Sequence, residues 1–302
     1  MSIPHAAVTR RTSSWLPLGI LLLVGVLLGL NASLAKLGIA AGWPPLSFLF
    51  WGVLGGGVLL LVAAVAMGER PGTRPQDFLY YLIAALVSMA LPNALAYSAV
   101  PHVGAGFVSL CMAFPPLLTY VFALGLRMET LRVVRGVGIV LGLIGALMLT
   151  MGKAGQGPVE PWWMAAAMVG PVFLAMGNIY RTKWWPKGAS AMSLAPGMLL
   201  GGALLVLPSA LITGSPVLDL PWDGAGLWIV IAQMVTFATT YALYFVLQKI
   251  AGPVYMSQIG SIGAVSGATI AVVALGEQAN ALLVLAAVVV LAGVVLVSRK
   301  PA

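Results

Sequence analysis

The chain has 302 residues, 61% of them hydrophobic and only 7% charged, with a formal net charge of +8. A soluble domain carries about 25% charged residues, so this composition excludes a water-soluble enzyme and describes a protein solvated mostly by lipid. The basic excess excludes nothing further, because the cations cluster at the ends of apolar runs rather than on a soluble nucleic-acid-binding face.

About 20 apolar residues span a bilayer as a helix, and ten such runs are predicted, near 15–38, 45–67, 78–98, 102–126, 132–151, 162–182, 190–213, 224–247, 252–275 and 280–298. Backbone groups in hydrocarbon must bond internally, so each run is read as a helix. Residues 1–14 form a polar tail, and no cleavable signal peptide is expected, because the first apolar run is too long. Span one carries a Gly25/Gly29 pair at helix-packing spacing, then Asn31 and, near its end, Lys36. Span three carries Ser88 and is interrupted by Pro92; span four carries Ser109 and Cys111 and is interrupted by Pro115-Pro116. Proline removes a backbone donor and clashes with the preceding turn, so span four should bend. Span five has Gly138, Gly142 and Gly145, and a Gly- and Pro-rich linker follows at 152–161. Asn178 lies in span six with Lys183 just beyond it, and Gly197 and Gly201 fall in span seven. Span eight sets Gln233, Thr236, Thr240 and Tyr244 at spacings of three and four, on one face. Ser257, Gln258 and Ser261 give span nine a polar face, with Gly260, Gly263 and Gly267 as its small positions. Most tryptophans sit near span ends and are read as headgroup anchors, Trp43 and Trp222 among them; Trp51 and Trp228 sit deeper and are candidates for lining.

Residues 79–149 align with 227–297 without a gap at an offset of 148, so that Gly104 meets Gly252, Ser109 meets Ser257, Glu129 meets Glu277 and Gly145 meets Gly293. Upstream the offset is 147, where Asn31 meets Asn178 and Lys36 meets Lys183. Five spans per copy is an odd number, so the copies should run antiparallel, the inverted-repeat plan of many secondary transporters, whose substrate site lies at the repeat interface. The predicted fold class is an all-α integral membrane protein: ten transmembrane helices as two inverted five-helix repeats around a central cavity. The expected domains are a cytoplasmic tail 1–14, a first repeat 15–151, an outer linker 152–161, a second repeat 162–298 and a cytoplasmic tail 299–302. Thirteen cations, Arg181 and Lys183 among them, fall at one set of span ends and only Lys36 and Lys153 at the other, which places both termini in the cytoplasm.

The acidic residues Glu69, Asp77, Glu129, Glu160, Asp219, Asp223 and Glu277 all map to span ends or loops. An ion relay places an ionisable group within a span, so carboxylate-based coupling is disfavoured and downhill facilitated movement is the simplest scheme. Glu129 and Glu277 read as N-terminal carboxylates of the spans that follow them, and Lys36 and Lys183 as cations snorkelling to the interface. One cysteine and two histidines exclude a disulfide within the chain and a metal cluster. No H-E-x-x-H, G-x-S-x-G or intramembrane aspartate pair is present, so the chain is read as no enzyme, with no cofactor. Neutral polar groups enter the membrane instead. The predicted substrate-binding set is Asn31, Ser88, Ser109, Asn178, Gln233, Thr236, Thr240, Tyr244, Ser257 and Gln258; the predicted gating set is Pro92, Pro115, Pro116, Gly260 and Gly263.

A Glu followed nine and sixteen residues later by Gly closes each half, as Glu129, Gly138, Gly145 and as Glu277, Ala286, Gly293. With the mid-span proline of span four and the 5+5 order, this resembles the EamA-type repeat of the drug/metabolite transporter superfamily. The resemblance implies a basket in which spans 1, 3, 4, 6, 8 and 9 surround a cavity and spans 5 and 10 brace it. Its nearest members in this respect are bacterial inner-membrane exporters of amino acids and related metabolites, including the YddG type that exports aromatic amino acids. The expected partners are therefore a small-molecule substrate and the lipid bilayer, not nucleic acid, and a monomer suffices for such a cavity. A broad exporter of drugs or hydrophobic cations is the alternative; it would favour an intramembrane carboxylate, and a purely structural membrane protein would not need matching polar faces.

Overall fold

The structure is a computed structural model that describes residues 15–126, 130–154, 160–256 and 258–298, with side chains except at 154, 251–255 and 298. Among the described residues every regular element is helical. They are α1 (Trp15–Ala40), α2 (Pro45–Ala66), α3 (Pro75–Ala85), a π-helical segment (Leu86–Ala90), α4 (Leu91–Val103), α5 (Ala105–Cys111), α6 (Pro115–Gly125), α7 (Val133–Ala154), α8 (Pro161–Lys183), α9 (Ala191–Ile212), α10 (Gly224–Met256), α11 (Gln258–Val273) and α12 (Ala281–Ser298). Pro45, Pro75, Pro115 and Pro161 open their helices at the first position, where a missing N–H costs nothing. Gly104, at φ 84°, is the whole connection between α4 and α5, a turn that a side chain would strain.

Eight helical stretches are long and apolar enough to cross a membrane; α3, the π segment and α4 act as one such stretch, and α5 with α6 as another. The apolar helices at 258–273 and 281–297 are shorter. The predicted loop between spans eight and nine is absent, because α10 continues as helix to Met256. Large apolar side chains stay exposed along α2 (Leu59, Val62), α7 (Leu143, Leu147) and α12 (Leu285, Val288), the surface expected of helices solvated by lipid.

Packing between the halves comes in exchanged pairs. α1 packs on α11 as α8 packs on α6; α1 on α10 as α8 on α4; α2 on α10 as α9 on α3; and α7 packs on α12. Small residues make these contacts close, since lipid offers no hydrophobic drive between helices. A Cβ on Gly138 would stand 2.7 Å from the Gly293 carbonyl oxygen, and one on Gly29 2.6 Å from that of Gly263. At one end of the bundle Leu21 and Val24 of α1 pack with Leu247 and Met256 of α10 and Ile259 of α11. We call this the N-terminal face; Lys36 lies toward the opposite face.

Candidate functional site: a cavity between the two repeats

Two breaks in helical hydrogen bonding shape the site. Pro92 has no N–H for the Ser88 carbonyl, and the turn before it widens into the π segment. The Tyr241 hydroxyl of α10 donates to that carbonyl at 3.4 Å, a long bond. Similarly, Pro115 and Pro116 stop the helix that begins at Ala105. Residues Met112–Phe114 pass through a 3₁₀-like turn, with the Phe114 N–H bonded to the Cys111 carbonyl at 3.1 Å. Pro116 leaves the Met112 carbonyl without its helical donor, and that oxygen lies against Gly260 of α11, where a Cβ would collide with it. Both predicted interruptions are therefore real departures from α-helix, one in each of two neighbouring stretches.

Between these breaks lies a cavity that is partly open to solvent. Its walls come from α1 (Val24, Leu28), the π segment (Ser88), the 112–115 turn, α8 (Leu174, Asn178, Arg181), α10 (Thr240, Tyr241, Tyr244, Met256) and α11 (Ile259, Gly260). Leu174, Asn178 and Arg181 are spaced four and three apart on α8, and Thr240 and Tyr244 four apart on α10, so each helix shows one face to the cavity. Arg181 is only 1% exposed. Its Nη2 donates to Asn178 Oδ1 at 2.8 Å and to the Tyr244 hydroxyl at 2.6 Å, and its Nε reaches Gln248 Oε1 at 3.4 Å. The Tyr244 hydroxyl in turn donates to Asn178 Oδ1 at 2.8 Å, and the guanidinium carbon stands 4.9 Å from the Tyr244 ring centre. Arg181 Nη1, Ser88 Oγ and Thr240 Oγ1 are buried without a hydrogen-bond partner among the described residues.

Of the predicted binding residues, the structure thus brings Ser88, Asn178, Thr240 and Tyr244 to one cavity, with Pro115 and Gly260 of the predicted gating set. Asn31 and Gln233 form a separate buried cluster, in which Gln233 Nε2 donates to Asn31 Oδ1 and to the Tyr97 hydroxyl, each at 2.7 Å. Thr236 is buried and Gln258 half-buried, neither on the cavity wall. Ser109 is buried where Gly267 of α11 comes against it, and Gly263 packs on α1, its would-be Cβ 3.3 Å from the Gly25 carbonyl oxygen. Ser257 and Glu129 lie outside the described residues.

Several boundary residues do something other than expected. Lys36 does not snorkel freely: its Nζ pairs with Glu277 Oε1 at 2.7 Å. Glu277 does not cap its own helix, where Asn280 accepts the Leu283 N–H at 2.8 Å. It accepts the Ala105 and Gly106 N–H groups at the start of α5, at 2.8 and 2.9 Å. Burial, the largest single influence, pushes its pKa up, but the bonds from Lys36, Gly106 and Ala105 together outweigh it and hold the carboxyl below its ordinary value. Trp43 is no headgroup anchor: it is buried, 4.9 Å edge-on to Trp222, while Trp51 donates to the Val217 carbonyl at 2.8 Å and Trp228 is 70% exposed, too far out to line anything.

A family model of the EamA-like transporters matches residues 15–151 and, a second time, residues 161–299. The chain belongs to the EamA-like transporter family. Its family is one of transporters, and eight of its helical stretches are long and apolar enough to cross a bilayer. It is 26% identical over 182 residues to the uncharacterized transporter YvbV of Bacillus subtilis (strain 168), a match that covers 60% of this chain and 59% of that relative. A protein of known crystal structure shares the fold with a TM-score of 0.66 at 18% identity, over 91% of this chain and 94% of that one.

The residue that sequence reasoning missed in this EamA cavity is Arg181. It stands near the end of the predicted sixth span, two residues before Lys183, where a cation reads as a boundary residue. The usable signal was its spacing of three from Asn178, which puts the two on one helix face. Tyr97, Tyr241 and Gln248 are likewise outside the predicted set, although Gln248 continues the Tyr244 face by one turn.

Proposed function

We propose that the chain exports amino acids and related small metabolites across the bacterial inner membrane by alternating access. In this reading ten spans in two inverted halves, 15–151 and 162–298, cross the membrane with both termini cytoplasmic, joined by an outer linker at 152–161. The observation that carries the reading is a mostly apolar cavity walled by both repeats, with a few convergent polar groups, the general form of a small-molecule site. Tyr241, Tyr244 and the surrounding aliphatic groups would hold an apolar side chain, and Ser88, Asn178 and Thr240 its polar end. Asn31 and Gln233 would serve the opposite half of the cycle. The turn at Pro115-Pro116 and Gly260, against which it rests, would supply the bend, with Pro92 and Gly263 as secondary pivots. The Lys36–Glu277 pair would be one of the contacts holding the opposite face closed.

No carboxylate lies on the cavity wall among the described residues, which favours movement down the substrate gradient over a carboxylate relay. The same feature, with Arg181 in the wall, counts against the drug or hydrophobic-cation alternative. The test is uptake of labelled amino acids into substrate-free proteoliposomes, with and without imposed pH and sodium gradients. Equilibration without accumulation is the expected result. Accumulation driven by either gradient alone would defeat the uncoupled scheme, and normal rates in the Pro115→Ala, Pro116→Ala double variant would defeat the hinge.

A further inference from the structure

A guanidinium carries five N–H donors in a planar fork and stays ionised in proteins. In Arg181 the Nη2 edge is occupied by Asn178 and Tyr244, and Nε has only the long bond to Gln248. Nη1 donates to nothing among the described residues, although it is buried. The charge also lacks a counter-ion there: the described ion pair, Lys36–Glu277, belongs to the opposite face, and no Asp or Glu among the described residues lies on the cavity wall. A buried cation without an anion is costly, and ionisable groups kept within spanning helices face cavities and mark substrate paths. Two further polar atoms of the same wall, Ser88 Oγ and Thr240 Oγ1, are also buried and unpartnered.

We propose that Arg181 is the anchor for a substrate carboxylate, and that the favoured substrates are small acids whose negative charge is not balanced by an ammonium group in the pocket. This rests on the transporter reading and narrows it, from amino acids to the net acids among the related metabolites, with Arg181 in place of Asn178 at the polar end. One carboxylate oxygen takes the Nη1 N–H groups, and the other accepts from the Ser88 and Thr240 hydroxyls, so the three unpartnered atoms are satisfied by one ligand group. Asn178 and Tyr244 do not bind the anion in this arrangement. They hold the guanidinium in place, since both Asn178 Oδ1 and the Tyr244 oxygen already accept from Nη2. A net anion turns the lone buried cation into a neutral pair. An ammonium brought in with it meets Arg181 as a like charge and finds no carboxylate on the wall among the described residues. Tyr241, Leu28, Met112 and Ile259 leave an apolar remainder for the rest of the molecule.

The experiment titrates the purified full chain in detergent with 3-phenylpropanoate, L-phenylalanine, 2-phenylethylamine and inorganic phosphate, followed by calorimetry and by thermal shift. The expected order is acid first, the zwitterion at least about fivefold weaker, and no binding of the amine or of phosphate. Arg181→Gln should weaken the acid by at least about tenfold, Arg181→Lys should restore part of the loss, and Thr240→Val should cost a few-fold. Binding of the amine or of phosphate as tight as that of the acid would overturn the proposal. So would a zwitterion that binds as well as the acid, no acid binding at all, or acid binding unchanged in Arg181→Gln. If Arg181→Gln does not fold, the order of the four ligands on the unaltered chain decides by itself. Counterflow of the same acid separates the two claims: Arg181-dependent binding without carriage keeps the anion site and removes the transporter reading, whereas carriage of other metabolites unaffected by Arg181 substitutions does the reverse.

Discussion

Asn31 and Asn178 hold the same position in the two repeats, yet their surroundings differ in kind. Asn31 belongs to a closed neutral cluster in which Gln233 donates to it and to Tyr97. Asn178 belongs to a charged cluster that lines a cavity. The difference is traceable residue by residue. At the repeat offset Leu34 stands where Arg181 does, Ala85 where Gln233 does, Ala96 where Tyr244 does, and Phe245 where Tyr97 does. A duplicated backbone thus carries two unlike sites, because each copy has polar groups where the other has apolar ones. The boundary pairs show the same drift. Lys36 reaches Glu277 on the opposite face, while its mate Lys183 lies over the Trp184 ring, 4.8 Å from the centre.

The largest expected effect comes from making the two asparagine sites alike. Arg181→Leu places the residue of the first repeat into the second. Transport should fall by about ten- to a hundredfold, the worth of a hydrogen bond to a charged group. Thermal stability should hold or rise, because an unpaired buried cation is replaced by an apolar side chain. Loss of transport together with loss of the fold would mean that Arg181 is structural, and the contrast between the sites would disappear.

Next in size is Gln233→Leu, which strands Asn31 and Tyr97 in a buried place. Unfolding in detergent should show a destabilisation of about 1–2 kcal/mol, while the affinity of the Arg181 cavity for substrate stays put. A change in affinity with no change in stability would show that the neutral cluster also touches substrate.

The Lys36–Glu277 pair should matter less, and in a pH-dependent way. Its carboxyl sits below the ordinary value in the folded protein, so the contact is fully present at neutral pH. It persists through the ordinary carboxylate range, and is lost only as pH falls through the lowered value. A cysteine placed beside Gly104 in a Cys111→Ala background should label faster, relative to an exposed-cysteine control at the same pH, only under acid, the control carrying the loss of thiolate. Glu277→Gln should label fast at every pH, at a cost of about 1 kcal/mol or less. Labelling that rises already above the ordinary carboxylate range would contradict the lowered value. The smallest effect is expected from Tyr244→Phe. The ring stays under the guanidinium, one hydroxyl is lost, and transport should drop only a few-fold, about 0.5–1 kcal/mol. A drop as large as that of Arg181→Leu would make Tyr244 a direct ligand of the substrate.

The sequence by itself determined the helical class and the rough course of most helices, though not the end of α10, which runs on to Met256. Lipid allows few solutions: apolar runs of about 20 residues must be helices. It also marked Pro92 and Pro115-Pro116 as breaks, since a missing N–H is a local property. What it left open was the direction in which polar side chains point at the ends of those helices. Arg181 and Lys183 are two residues apart with the same charge, yet one is 1% exposed and the other lies on the surface. A rotation of about 200° along the helix separates them, and which of the two turns inward depends on α10 bringing Tyr244 and Gln248 alongside. Likewise Glu277 reads as the start of its own helix, and only the packing of α1 and α5 around the 274–280 loop gives it Lys36 and two backbone donors instead. Periodicity along one helix is local information; the partner across the interface is not.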